Sequence, residues 1–322
     1  MNVSTISPKP GSRITAVITA MPEEAAALRA ALRDVREVPG QHGQNARDAL
    51  HQPGRIEHLG RHSHGPRTLV RGRLGSTALV LAVSGDGELN AREHAAHLFA
   101  VLHGEIERLL ILGVAGALSP ALHVGDLIVA DEVRAEAGGK ALYGDHQWAE
   151  RAEQLARAKH IAGRASVQRG VALSARCIAD TAHEKQRLLS LCNAAGKPCS
   201  VDLESFAYAS AAETHCVPWL VLRAISDTAD ESLPEVLNRS RDAGGAVLRS
   251  RVLRSLLTDP RPLPKLLRLQ RRVSRASVLL AGATAAVVSH PLPPAADEPT
   301  SEVPNCTRSA YRSRSRKGQA EC

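Results

Sequence analysis

Residues 201–232 read VDLESFAYASAAETHCVPWLVLRAISDTADES. Asp202 and Glu204 flank a single apolar residue, Leu203, ahead of the alanine-rich segment SFAYASAAETH; an apolar run over 217–225 then stops at Ser226-Asp227. A short apolar run of branched and aromatic residues, bounded by turn formers, predicts a buried strand. In open α/β sheets, side chains become accessible and ligands collect at the carboxyl ends of strands. Asp227 is therefore expected at the rim of a site. An acid at such a position can also serve as a helix N-cap, accepting from amides of the following turn.

The layout recurs upstream. RITAVITAMPEEAAALRAAL (13–32) reads as a strand ending near Ala20, then a helix with Pro22 in its first turn, where a missing amide hydrogen costs nothing and Glu23 and Glu24 suit the positive helix end. TALVLAVSGDGELNAREHAAHLFAVL (77–102) reads as a strand, a turn at Ser84-Gly85-Asp86-Gly87, and a helix opening near Asn90. RLLILGVAGALSPALHVGDLIVADEV (108–133) reads as a strand, a tight glycine turn from Gly113 to Gly116, and another strand. Alternation of this kind predicts an α/β sheet with helices on its faces. Acids follow several of these strands, so Asp227 does not stand alone.

The chain has 322 residues, 43% of them hydrophobic, enough for a substantial core. No apolar run approaches the roughly 20 residues that span a bilayer, and residues 1–13 lack the apolar centre of a secretory signal, which predicts a cytoplasmic protein. Six cysteines without zinc-ligand spacing read as reduced thiols. The net charge of +8 is unevenly placed: residues 251–322 carry 13 Lys and Arg against 5 Asp and Glu, so the rest of the chain is balanced. Residues 38–67, polar and rich in Gly and His, read as a surface insertion; His62 and His64 lack the companions of a metal site. The main domain is expected over 12–258, a basic helical extension over 259–288 and a disordered tail over 289–322.

Four segments, ITAMPEEAAAL, LGVAGALSPALHVGDLIVADEV, VDLES and VPWLVLRAISDTAD, together resemble the nucleoside phosphorylase/nucleosidase superfamily, in that order along the chain. Methylthioadenosine/S-adenosylhomocysteine nucleosidases are the most similar group. The resemblance implies a mixed central sheet flanked by helices, a homodimer, a purine nucleoside as small-molecule partner, and neither cofactor nor metal. By the same resemblance Asp227 is the acid at purine N7, Glu24 aligns and deprotonates water, and Glu204 holds the ribose hydroxyls. Asp202 and Leu203 support Glu204, Ser226 supports Asp227, Gly113 and Gly116 let the backbone approach the ligand, and Ser84 and Ile178 face the sugar and the base.

Departures narrow the reading. The nucleosidases carry a polar turn where this chain has Ile111-Leu112-Gly113-Val114, and an aromatic beside the base where it has Cys177-Ile178. Stacking would have to come from Phe206, Tyr143, Trp148 or Trp219. GVAGALSPAL, RCIADTAHEKQRLL and LPKLLRLQRR resemble the hopanoid-associated phosphorylases that release adenine from adenosylhopane, which implies an apolar 5′ substituent. Lys265, Arg268, Arg271, Arg272 and Arg275, interleaved with Leu and Val, form either a peripheral membrane contact or a solvated helix packed on the body. Lacking Arg and Ser in the 111–114 segment, the chain is expected to use water as nucleophile. Phosphorolysis and a non-catalytic nucleoside-binding module are the alternatives; no specific nucleic-acid partner is expected.

Overall fold

The computed structural model describes residues 14–38 and 68–289, apart from 103, 161–165, 193, 195 and 243. The expected surface insertion, beyond Val38, and the tail, beyond Ser289, lie outside the described residues, as do His62 and His64.

The first half of the chain runs β1 (Ile14–Thr19), α1 (Pro22–Ala31), β2 (Arg33–Glu37), β3 (Thr68–Leu74), β4 (Thr77–Val83), α2 (Glu88–Val101), β5 (Ile106–Ala117), β6 (Leu127–Ala135), β7 (Leu142–Tyr143) and α3 (His146–His160). The second half runs β8 (Val167–Ser174), α4 (Ala182–Cys192), β9 (Cys199–Asp202), α5 (Ser205–Thr214), β10 (Trp219–Asp227), α6 (Val236–Arg239), α7 (Arg249–Thr258) and α8 (Leu263–Val288). The strands form one mixed sheet in the order β10-β6-β8-β9-β5-β1-β4-β3-β2. Because β10 also pairs with β5, in parallel, strands β5, β10, β6, β8 and β9 close into a ring. Strands β1, β4, β3 and β2 extend from β5 as an open sheet, and the two-residue β7 pairs with β6.

Burial explains the strand compositions. β1 and β10 are buried along their whole length and read as continuous apolar runs, as strands covered on both faces do. β2, RDVRE, is exposed throughout and closes the open edge with charged side chains. One face of the sheet is covered by α2 and α5 through Ala91, Ala95, Leu98, Tyr208 and Ala212. The other is covered by α1, α3 and α8 through Ala25, Leu28, Trp148, Ala276, Leu280 and Ala283.

Two sequence expectations are corrected. Residues 113–116 do not form a turn: they continue β5, which stays paired through Gly116 with both β10 and β9. The glycines serve close approach instead. A Cβ on Gly113 would collide with the Arg223 guanidinium, and one on Gly116 would stand 2.9 Å from Asp227 Oδ2. Cys192 and Cys199, both fully buried, are joined as a disulfide linking the end of α4 to the start of β9, not held as reduced thiols.

Candidate active site

The carboxyl ends of β1, β4, β5, β9 and β10 open into one cavity of about 680 Å³. Its floor carries Glu24, Asp202, Glu204 and Asp227, and its far wall carries Leu233, Leu237, Leu248, Leu269 and Val273.

Glu24 sits in the first turn of α1, directly after β1. Thr19 Oγ1 and the Met21 amide donate to its Oε2 at 2.6 and 3.0 Å, and the Val114 amide donates to its Oε1 at 2.8 Å. Burial pushes its pKa up, with Arg223 and these donors pulling the other way. A carboxylate so placed is poised to take a proton. Its backbone carbonyl accepts from Ser277 Oγ of α8 at 3.0 Å, tying the site to the C-terminal helix.

Asp202 ends β9 and organises the next turn. Its Oδ1 accepts from the amides of Glu204 and Ser205 and from Ser174 Oγ; its Oδ2 accepts from Ser205 Oγ and from Arg223 Nε at 2.9 Å. Arg223 is 1% exposed, and its remaining nitrogens reach Leu112 O and Ser205 Oγ. Burial alone would weaken its charge, but Asp202, Glu24 and Glu204 together hold its pKa above the usual value. Glu204 accepts from the Gly87 amide at 2.7 Å. Burial first, then neighbouring Asp202, raises its pKa to about 8 against the pull of Arg223, which favours the protonated form of Glu204.

Asp227 lies at the end of β10 and caps no helix, since the chain continues irregularly to α6. Ser226 Oγ donates to its Oδ1 at 2.6 Å, and Lys185 Nζ, from α4, donates to its Oδ2 at 2.5 Å. The other two Lys185 donors go to Thr228 O and Glu231 O. Both partners of this ion pair are within 2% of complete burial. Along β5, Gly116, beside Asp227, lies three positions beyond Gly113, beside Glu24. Extended chain covers about 10 Å over three positions, which sets the spacing of the two acids along the cavity floor.

Of the residues singled out from the sequence, Glu24, Asp202, Leu203, Glu204, Ser226, Asp227, Gly116 and Ile178 line the cavity. Gly113 stands behind it against Arg223, and Ser84 is turned to the Tyr208 hydroxyl. None of the four aromatics offered for stacking lines it: Trp148 and Trp219 are core residues and Tyr143 is exposed. Ile178, which lines the cavity, is pinned by two hydrogen bonds between its backbone and Asn238. Sequence reading missed Arg223, although a lone charge inside a buried strand is itself a signal. It also missed Lys185, which sits in a helix whose sequence looks solvent-exposed, and the far wall.

Residues 14–256 match a family model described as the phosphorylase superfamily. Among solved structures, the chain is similar to the Neisseria meningitidis 5′-methylthioadenosine/S-adenosylhomocysteine nucleosidase bound to methylthio-immucillin-A, at 20% identity and a TM-score of 0.60, covering 86% of this chain and 98% of that one. It is similar to the Streptococcus pyogenes S-adenosylhomocysteine nucleosidase bound to 5-methylthiotubericidin, at 20% identity and a TM-score of 0.60 over 88% and 99% of the two chains. Helicobacter pylori futalosine hydrolase matches at 17% identity and a TM-score of 0.60 over 86% and 98%. These likenesses bear out the mixed sheet flanked by helices.

Proposed function

Since the match over residues 14–256 shows that the chain belongs to the phosphorylase superfamily, we propose that it hydrolyses the N-glycosidic bond of a purine nucleoside carrying an apolar 5′ substituent. The observation that carries this reading is the pair of acids fixed at the two ends of one β5 segment, Glu24 by three donors and Asp227 by two. Nucleosidases and a hydrolase among the fold neighbours support it.

Cleavage leaves positive charge on the sugar and negative charge on the base. The proton carried by the Lys185 ammonium is relayed through the Asp227 carboxylate to purine N7, which leaves Lys185 as a neutral amine and lets the base depart neutral. Glu24 takes one proton from water as its oxygen bonds to ribose C1′, and solvent returns that proton to the Lys185–Asp227 pair. Protonated Glu204 donates to one ribose hydroxyl and accepts from another, fixing the sugar. Arg223, which does not line the cavity, offsets the crowding of Asp202, Glu24 and Glu204.

Phosphate as nucleophile is the second reading, favoured by Arg249 and Ser250 on the cavity wall and by the resemblance to adenosylhopane phosphorylases. Arg249 is the single cation among the described lining residues and pairs with Glu23, while Glu23, Glu24, Asp86, Asp202, Glu204 and Asp227 supply six acids. A dianion is poorly matched to such a wall. The decisive experiment incubates the protein with adenine nucleosides bearing 5′-alkylthio groups, with and without phosphate. Free adenine and free 5′-substituted ribose in both cases are expected. Release that requires phosphate and yields a ribose 1-phosphate derivative would overturn hydrolysis, and no release of base would overturn both readings.

A further inference from the structure

The hairpin of α7 and α8 is held unlike any other part of the molecule. α7 buries no residue, and α8 buries none before Ala276. A 10-residue helix without a packed face is marginal in water. Yet the hairpin carries apolar side chains outward: Leu253 is 63% exposed, Leu257 81%, Leu263 40% and Leu267 45%. Around them, residues 249–275 hold nine Lys and Arg and one acid, Asp259. Arg249, Arg261 and Arg272 pair with Glu23, Asp259 and Glu231. Arg254, Lys265, Arg268, Arg271 and Arg275 have no ion-pair partner among the described residues. The opposite side of the same hairpin supplies Leu248, Leu269 and Val273 to the cavity wall.

We propose that this hairpin docks on an anionic lipid surface, with the leucines entering the boundary between headgroups and acyl chains and the cations resting on lipid phosphates. Outward leucines ringed by cations are the pattern of an interfacial amphipathic helix. Among the described residues no helix is long and apolar enough to cross a membrane, so the contact is a surface one. A second copy offering the same face would bring like charges together, and a nucleic acid would satisfy the cations but leave the leucines in water. The inference does not rest on the proposed reaction, although it places the cavity wall next to the medium from which an apolar-substituted nucleoside would arrive.

Flotation of the full chain with vesicles tests it, using phosphatidylcholine alone and phosphatidylcholine mixed with phosphatidylglycerol. Binding to the mixed vesicles, weak binding to phosphatidylcholine, and loss at high salt are expected. Leu253→Ser with Leu257→Ser should weaken binding by about tenfold or more while circular dichroism and soluble turnover stay unchanged. Arg254→Gln and Arg271→Gln should each weaken it by about fivefold. Three results would overturn the proposal: no binding to the mixed vesicles, binding that ignores the leucine replacements, or leucine replacements that abolish a self-associated form in sedimentation but leave vesicle binding intact.

Discussion

The floor of the cavity and the wall facing it obey opposite rules. On the floor, Asp202, Glu204 and Asp227 stand at strand ends or within two residues of one and Glu24 stands in the first turn of the helix that follows β1; all four are less than a tenth exposed and are fixed by named donors. The wall is helical or irregular, and its Leu233, Leu237, Leu248, Leu269 and Val273 present only shape and apolar area. Bond cleavage tolerates little misplacement of the reacting groups, so it belongs on a sheet whose register the core enforces. Accommodating an apolar substituent needs no such accuracy, and helices added after the sheet are adequate. The chemistry and the choice of 5′ group should therefore separate under mutation.

The severest test of that separation is at the floor. Glu24→Gln and Asp227→Asn each remove one proton transfer and should lower kcat by about 10² to 10⁴, with binding of a ground-state nucleoside little changed. Wild-type turnover in either variant would remove that residue from the reaction. Next in size is Lys185→Met, which leaves the Asp227 carboxylate buried without its cation. Breaking a pair buried this deeply should cost about 3–5 kcal/mol of stability, read by denaturant unfolding. Adding Asp227→Asn should recover part of that loss, because the stranded charge is then gone. Additive losses would mean that the two side chains do not act as a pair.

The sequence was most legible where one residue's environment follows from local pattern. Strand ends followed by acids placed Glu24, Glu204 and Asp227 in one cavity, and Pro22 marked the start of α1. Gly113 and Gly116 were recognised as close-approach residues but assigned to a turn, since glycine in a strand and glycine in a turn look alike until the partner is known. The partner of Gly113 is Arg223, more than a hundred residues away, and that of Asp227 is Lys185 across the sheet. Pairings at such separation leave no local periodicity. The wall was illegible for the same reason: Leu269 and Val273 meet Leu233 and Leu237 only once α8 has folded back on the body.

A smaller effect distinguishes charge on the floor from mere burial there. Glu204 has its pKa raised from 4.5 to about 8, mainly by burial and next by Asp202. The folded state thus keeps a proton that the unfolded chain releases. The associated stability is fully present below pH 4.5 and is lost as pH rises toward about 8. Glu24, also raised, adds to the slope with the same sign. Glu204→Gln should flatten the fall in unfolding midpoint across this window without abolishing it. An unchanged slope would show that Glu204 is ionised in the native protein and that its charge is met by Arg223.

The smallest expected effect is at the wall. Leu269→Ala and Val273→Ala remove apolar surface facing the 5′ group, on a stretch of α8 that carries none of its buried residues. For a nucleoside with a bulky apolar 5′ substituent, each truncation should reduce kcat/KM by about three- to tenfold, through KM. With adenosine itself, which carries no apolar 5′ substituent, the change should be negligible. A fall in kcat, or an equal loss for both substrates, would mean that truncation has shifted the carboxylates. That outcome is physically accessible, because α8 also carries Ser277, which holds the Glu24 carbonyl, and Arg272, which donates to Ser226 O at 3.1 Å. If motion at Leu269 travels to those two contacts, the wall acts as a strap on the floor, and the 5′ group would set the rate as well as the affinity.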